Sequence, residues 1–400
     1  MRTLYSYRVV LAVLLMAALS GCANFSDRVC LTWEGDPATT MTVNFQSAPT
    51  DAVPVVYYDT VDHGDDLDAY PNKVTGETVP IPGLEEKRVA HRVALTDLEP
   101  DTAYYFVAGL EGGPYAKPGL FATMATDNSP VRFIVGGDMA IFPRTRDLLE
   151  QAATYDPDFV VVGGDLAYAN GDPGSLWMWD RWFHNYAREM RPEDGRTVPM
   201  VLALGNHEIN KDFEEPELNA PYFFSLFAQG GKSYWTRKFG ANLVLFILDS
   251  GHTVPVDGAQ KEWFAKALEE HADVPVKLPV YHVTLYPSHR GFDDARSAAQ
   301  REHWLPLFDQ YEIPVCFEHH DHTFKRTKPL RNNEVHPNGT VYLGDGCFGV
   351  PPREIEHGDA WYMEKALSTA HFWVVDVTED GIACKAVDRN GKVFDQWPAE

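Results

Sequence analysis

The chain has 400 residues, 44% hydrophobic and 12% aromatic, which is material for about two or three folded domains and too apolar for a disordered polymer. Its 58 acidic residues against 34 basic ones leave a formal charge of −24. A field of that sign excludes nucleic-acid binding through non-specific electrostatics and repels anionic substrates at long range, so any chemistry on phosphates requires a local positive centre.

Arg2 and Arg8 precede the apolar run Val9 to Ala18 and the tetrad Leu19-Ser20-Gly21-Cys22. A basic start, a short apolar core and small residues before a cut site describe an export signal over residues 1–21, and the run is shorter than a membrane span needs. The tetrad resembles the bacterial lipobox, which implies cleavage that leaves Cys22 at the new N-terminus carrying lipid. The mature chain is then expected to be exported and lipid-anchored to a bacterial membrane, facing the periplasm or the cell surface. Ala23 in place of Asp after the cysteine implies, by the same resemblance, the outer membrane of a Gram-negative cell. The other cysteines are Cys30, Cys316, Cys347 and Cys384. An oxidising compartment permits disulfides among them, their spacing offers no CxxC metal clip, and Cys316 in its apolar run reads as a buried free thiol.

Residues 22–128 carry short alternating runs separated by turn residues: Met41 to Phe45, Pro54 to Tyr58, Ala90 to Leu95 and Ala103 to Ala108. Period-two runs at this spacing predict an antiparallel β-sandwich. The stretch Leu98-Glu99-Pro100-Asp101-Thr102-Ala103-Tyr104 resembles the turn and tyrosine strand of fibronectin type III-like domains. No chemistry is expected of this part.

From residue 129 the texture changes to apolar strands alternating with helical segments. Strands are expected at Val131 to Val135, Phe159 to Val162, Val198 to Leu204, Leu243 to Leu248, Leu278 to Val283, Val315 to Glu318, Val341 to Leu343 and Phe372 to Val377. Helices are expected at Arg144 to Tyr155, Leu176 to Met190, Ala259 to His271 and Ala298 to Tyr311. Nearly continuous apolar strands between helices predict an α/β domain over residues 129–400 with its sheets covered on both faces.

Where the polar residues fall matters more than their number. Asp138 and Asp165 each follow a Gly-Gly pair at the end of an apolar run, Asn206 follows Gly205, and His282, His320 and His322 end later strands. The C-terminal strand edge is where open α/β sheets bind ligands, so one cleft can collect all six. His320 and His322 are two apart and share a side in an extended segment. Hard oxygen and imidazole donors in this number suit two adjacent metal ions, which makes a metal-dependent hydrolase the leading reading. Glu208, Asp249 and Asp321 are explained at least as well by caps, turns or solvation as by a role in the site.

These blocks resemble the metallophosphoesterases, and within them the purple acid phosphatases, whose ordered signature is GDxG, GDxxY, GNH followed by Asp or Glu, a strand histidine, and GHxH. Here they stand as Gly137-Asp138-Met139-Ala140, Gly164-Asp165-Leu166-Ala167-Tyr168, Gly205-Asn206-His207-Glu208, His282 and His319-His320-Asp321-His322. The segment Trp33 to Val43 resembles the start of that family's N-terminal sandwich. The resemblance implies a four-layer α/β/β/α sandwich behind the fibronectin type III-like domain. It also implies Fe(III) held by Asp138, Asp165, Tyr168 and His322, and a divalent Zn, Mn or Fe held by Asn206, His282 and His320 with Asp165 shared. A phenol deprotonates near pH 10 when unperturbed, so Tyr168 calls for a strongly Lewis-acidic ion.

In the chemistry so implied, a phosphate ester is attacked in line by metal-activated hydroxide. His207 orients the substrate or protonates the leaving oxygen, and His289 is a second candidate for that role. Two positions depart from the signature: Ala140 and His319 stand where the family has glycine, and a register in which His319 contributes stays open. Three functions follow: a phosphomonoesterase of the acid phosphatase kind, a phosphodiesterase on the same centre, and an inactive cell-surface binding lipoprotein.

Overall fold

The computed structural model describes residues 25–210, 215–344 and 346–398, so the export segment and Cys22 lie outside the described residues. The N-terminal domain consists of β1 (Cys30–Thr32), β2 (Met41–Ser47), β3 (Pro54–Asp59), β4 (Asn72–Thr75), β5 (Glu77–Pro80), β6 (Val89–Leu95), β7 (Ala103–Leu110) and β8 (Gly119–Ala122). Two four-stranded sheets result, ordered β1-β2-β6-β5 and β4-β3-β7-β8, with antiparallel neighbours throughout. Met41, Val43, Phe45, Val93, Phe106 and Phe121 fill the space between them, as alternating side chains of paired sheets must. At the turn before β7 the Glu99 backbone N–H donates to the Tyr104 hydroxyl at 2.9 Å, closing a tyrosine corner of the kind the sequence foreshadows.

The second domain runs through β9 (Val131–Gly136), β10 (Phe159–Gly163), β11 (Met200–Ala203), β12 (Trp235–Phe239), β13 (Leu243–Ile247), β14 (Val276–Val283), β15 (Val315–His319) and β16 (Phe324–Thr327). It continues through β17 (Leu330–Arg331), β18 (Glu334–Val335), β19 (Val341–Gly344), β20 (Met363–Leu367), β21 (His371–Thr378), β22 (Gly381–Asp388) and β23 (Val393–Trp397). One six-stranded sheet has the order β11-β10-β9-β21-β22-β23 and one seven-stranded sheet the order β12-β13-β14-β15-β19-β16-β20. Within them β9, β10 and β11 are parallel, as are β13, β14, β15 and β19.

Alternation along these strands sorts the core into layers. Phe133, Val135, Phe159 and Val161 face inward against Leu245, Ile247, Val280 and Phe317 of the other sheet. Ile134, Val160 and Val162 face outward onto the helices Pro143–Ala153 and Leu176–Glu189. Val244, Phe246 and Tyr281 face outward on the other side, where Phe264 and Phe308 cover them. The architecture is therefore the expected α/β/β/α sandwich.

The two domains share packed surface. Trp33 of the N-terminal domain meets Phe159 and Phe239 edge-on at 6.0 and 5.5 Å, and Arg28 and Arg88 converge on Asp180 at 2.8 and 2.9 Å.

Three details differ from the sequence expectation. The helix expected over Ala298 to Tyr311 is two helices, Ala295–His303 and Leu305–Gln310, because Pro306 brings no N–H and opens a new first turn. The antiparallel strands β12, β16, β20, β22 and β23 carry mixed polar and apolar residues and give no long apolar run to read. All four described cysteines are free and buried, as expected of Cys316, and the permitted disulfides do not form among them.

The tyrosine corner yields a direct test: Tyr104→Phe should lower unfolding stability by about 1 kcal/mol, the net worth of one hydrogen bond. Urea denaturation should show this as a shifted midpoint at constant slope.

Candidate metal centre

The parallel strands deliver the polar residues to one edge. In the six-stranded sheet β9 ends two residues before Asp138, β10 two residues before Asp165, and β11 three residues before Asn206. In the other sheet His282 is the penultimate residue of β14, while His320 and His322 follow β15. The turns are held by backbone pairing across strands: the Asp138, Met139 and Ala140 N–H groups donate to Gly164, Asp165 and Leu166 carbonyls at 3.0, 3.0 and 2.8 Å.

Two donor clusters result. In the first, His282 Nε2 lies 3.1 Å from His320 Nδ1, 3.3 Å from Asn206 Oδ1 and 3.3 Å from Asp165 Oδ2. In the second, the Tyr168 hydroxyl donates to Asp138 Oδ1 at 3.0 Å and lies 3.1 Å from His322 Nε2, which is itself 3.0 Å from Asp138 Oδ1. Asp165, His282 and His320 offer ligand atoms within 4.8 Å of one another, and so do Asp138, Asp165 and His322; Asp165 is common to both sets. The structure thus brings together all seven side chains singled out from the sequence as metal ligands.

The remaining candidates sit differently. His207 stacks on Tyr168 with ring centroids 4.1 Å apart, pairs through Nδ1 with Asn170 Oδ1 and remains 33% exposed, at the mouth of the cluster. His289 has its backbone N–H on Asp321 Oδ2 at 2.8 Å, and its ring Nδ1 pairs with the Glu354 carbonyl at 3.0 Å, so its hydrogen bonds lead away from the two clusters. His319 belongs to neither triad. Its ring is buried against glycines: a Cβ on Gly163 would fall 1.7 Å from its Nε2 and one on Gly137 2.7 Å from its Cγ. Burial pushes it down to about 3, which keeps the ring neutral.

Electrostatics explain what these groups need. Asp138 and Asp165 are buried, and among the described residues their ion-pair partners are histidines alone. Asp165 Oδ2 is buried and accepts no well-formed hydrogen bond. Burial works to lower His282, but the Asp165 and Asp138 carboxylates and the Gly163 carbonyl on its Nδ1 outweigh it and raise the ring to about 9. Burial, then Asp138 and Asp165, hold the Tyr168 phenol far above its ordinary value. Two buried carboxylates facing raised protonation on their neighbours form a setting that a cation could equally satisfy.

Sequence reasoning set aside the residues that position these ligands. Glu208 is buried and accepts from the N–H groups of Asp165 and Gly205 on Oε2, at 2.7 and 2.8 Å, and from Leu166 on Oε1 at 2.7 Å, tying two ligand turns together. Asp321 takes the N–H groups of Ser288 and His289 and the Arg290 guanidinium at 2.9, 2.8 and 2.6 Å. Behind the histidines, Glu318 and Lys325 form a fully buried ion pair that also engages Tyr281, Thr284 and the Tyr286 carbonyl. The available signal was position: Glu208 and Asp321 each lie within two residues of a ligand.

Comparison with known proteins follows the same division of the chain. Residues 26–123 match the family described as Purple acid Phosphatase, N-terminal domain, and residues 131–324 the family described as Calcineurin-like phosphoesterase. Purple acid phosphatase 15 of Arabidopsis thaliana is 26% identical over 347 residues, covering 78% of this chain and 64% of its own length, so the chain spans somewhat less than two thirds of that relative. Among solved structures, a purple acid phosphatase from yellow lupin (Lupinus luteus) seeds aligns with a TM-score of 0.78 at 19% identity, over 92% of this chain and 73% of that one. PhoD aligns with a TM-score of 0.67 at 12% identity, over 95% and 93%. Both share the fold.

The Glu208 contacts predict that Glu208→Gln, which sets an amide N–H₂ against backbone donors, weakens metal retention by roughly 10–100-fold, as loss of an outer partner does. Metal content after dialysis against graded chelator measures it, and retention equal to the parent chain would refute it.

Proposed function

We propose that this chain, whose residues 131–324 match the calcineurin-like phosphoesterase family and whose residues 26–123 match the purple acid phosphatase N-terminal domain, is a phosphoric monoester hydrolase that works with two bound metal ions. The observation that carries the reading is the pair of donor triads sharing Asp165. The donor chemistry fits: two buried carboxylates without lysine or arginine partners among the described residues, one carboxylate oxygen without a hydrogen bond, and imidazoles converging on both.

Asp138, Asp165, Tyr168 and His322 would hold Fe(III), and Asn206, His282 and His320, with Asp165 shared, a divalent Zn, Mn or Fe. When bound, the pair supplies Lewis acidity that offsets phosphoryl charge and lowers the pKa of water. The chain's own groups do the rest. His207, whose Nδ1–H is held by Asn170 Oδ1 and whose ring stacks on Tyr168, would in its imidazolium form donate from Nε2 to the ester or to its leaving oxygen. His289 is too far committed to Glu354 to share that task without turning its ring. Glu208 and Asp321 keep the ligand turns from relaxing when the site exchanges protons for cations. By the lipobox-like tetrad, the enzyme is exported and held at a bacterial membrane through lipid on Cys22.

Metal analysis of purified protein, with parallel assays on p-nitrophenyl phosphate and bis(p-nitrophenyl) phosphate, tests the reading. Two metal equivalents, faster monoester cleavage and a visible charge-transfer band lost in Tyr168→Phe are expected. Asp165→Asn should cost more than the roughly 10–100-fold typical of outer partners. Activity untouched by that substitution or by chelation would sink the proposal.

His282 also sets a pH dependence. Raised to about 9 without metal, its ring must lose a proton before it ligates, so metal affinity should climb as pH rises towards that value and loading should release protons. Calorimetry in buffers of different ionisation enthalpy reads the proton count. For the anchor, incorporation of labelled palmitate should vanish in Cys22→Ala, and labelling that persists there would remove the lipid assignment.

A further inference from the structure

The turn that carries His320 and His322 is flanked by two guanidinium groups, and their charges are in different states. Arg290 donates through Nη1 to the His320 carbonyl at 2.8 Å and to Asp321 Oδ1 at 2.6 Å, so its charge is offset by a buried carboxylate. Arg353 donates through Nη1 to the same His320 carbonyl at 3.3 Å, and it pairs with no carboxylate among the described residues. A guanidinium has five N–H donors in a rigid fork, and among the described residues Arg353 uses one of its terminal nitrogens only.

Its position is fixed by the backbone rather than by chance of a rotamer. The loop Gly346–Arg353 is stitched across the ligand turns. The Phe348 N–H donates to the Gly137 carbonyl at 2.9 Å, Val350 to Asp138 at 3.1 Å and Arg353 to His322 at 2.9 Å. Gly349 packs so closely that an added Cβ would sit 2.0 Å from the Met139 carbonyl oxygen and 2.2 Å from Thr145 Oγ1. The Arg353 side chain, half-buried, therefore starts from a backbone locked to Asp138 and His322 and ends beside His320.

In a chain of formal charge −24, a cation that holds the His320 carbonyl and has no carboxylate partner among the described residues has a specific consequence for phosphate esters. A monoester carries about −1.5 to −2 charges at pH 7 on three free oxygens, whereas a diester carries a single charge on two. A guanidinium fork responds to that difference because its hydrogen bonds to charged oxygen are the strong kind.

Resting on the hydrolase reading above, we propose that Arg353 is the residue by which this site discriminates the phosphomonoester dianion from the diester monoanion, through contact with the phosphoryl group. Arg290 takes no part in that choice, being tied to Asp321.

The test uses the full metal-loaded protein and its Arg353→Gln and Arg353→Lys variants. At a pH where the monoester is a dianion, Arg353→Gln should lower kcat/KM for p-nitrophenyl phosphate by about 10–100-fold, the worth of one charge-assisted hydrogen bond, and change bis(p-nitrophenyl) phosphate by less than about threefold. Arg353→Lys should recover part of the loss. Calorimetric titration with inorganic phosphate and with dimethyl phosphate should show weaker binding of the first alone, at unchanged metal content. An equal fall on both esters, or loss of metal in Arg353→Gln, would overturn the inference and leave Arg353 as a brace for the His320 turn. If the parent protein cleaves neither ester when fully loaded, the hydrolase reading itself fails.

Discussion

Two carboxylates of the same sign, Asp138 and Asp165, lie buried at neighbouring strand ends, and the rest of the molecule is arranged around that electrostatic cost. In a low-dielectric interior their repulsion can be met only by hydrogen-bond donors or positive charge. The chain spends backbone donors first: the His320 N–H on Asp138 Oδ2 at 2.9 Å and the His207 N–H on Asp165 Oδ1 at 2.8 Å. Raised protonation of His282 supplies part of the remaining charge. The buried Glu318–Lys325 pair ties β15 and β16 to the end of β14 through Tyr281, Thr284 and Leu285, next to His282.

The site is also where the backbone is forced. Asp138, Ala140, Asp165, Tyr168, His320 and His322 all have positive φ, between 52° and 78°. Side chains other than glycine are uncommon there, and each such residue costs on the order of 1 kcal/mol, sustained by surrounding structure. Ala140 shows the reason for the glycine found at its place in the family signature: at φ 52°, buried, it pays the steric penalty of a Cβ that glycine lacks. The interlocking N–H donations from Asp138, Met139 and Ala140 to the β10 turn hold that conformation.

Much of this was legible in the amino-acid sequence because the candidate ligands interrupt apolar runs. Gly-Gly-Asp after Phe133 to Val135 and after Phe159 to Val162 marks a strand end and a donor at once, and the layer order follows from strands apolar on both faces. What the sequence concealed depended on contacts between distant segments. Glu208 looks like any acid after a turn until its oxygens are seen to accept from Asp165, Leu166 and Gly205. His319 looks like a possible ligand, yet it fills the space left by Gly137 and Gly163, whose missing side chains are explained only by that ring. The split at Trp304 was readable from Pro306, whereas the antiparallel strands β16, β20, β22 and β23 take their form from the neighbours they pair with.

The two donor clusters draw on both sheets: Asp138, Asp165, Tyr168 and Asn206 come from one, His282, His320 and His322 from the other. Any cation seated among them is therefore a rivet through the sandwich, and its binding energy is added to the cohesion of the two layers. Occupancy and lifetime become one property of such a molecule: under metal scarcity the protein would lose rigidity along with competence, and the empty form would be the one proteases find first.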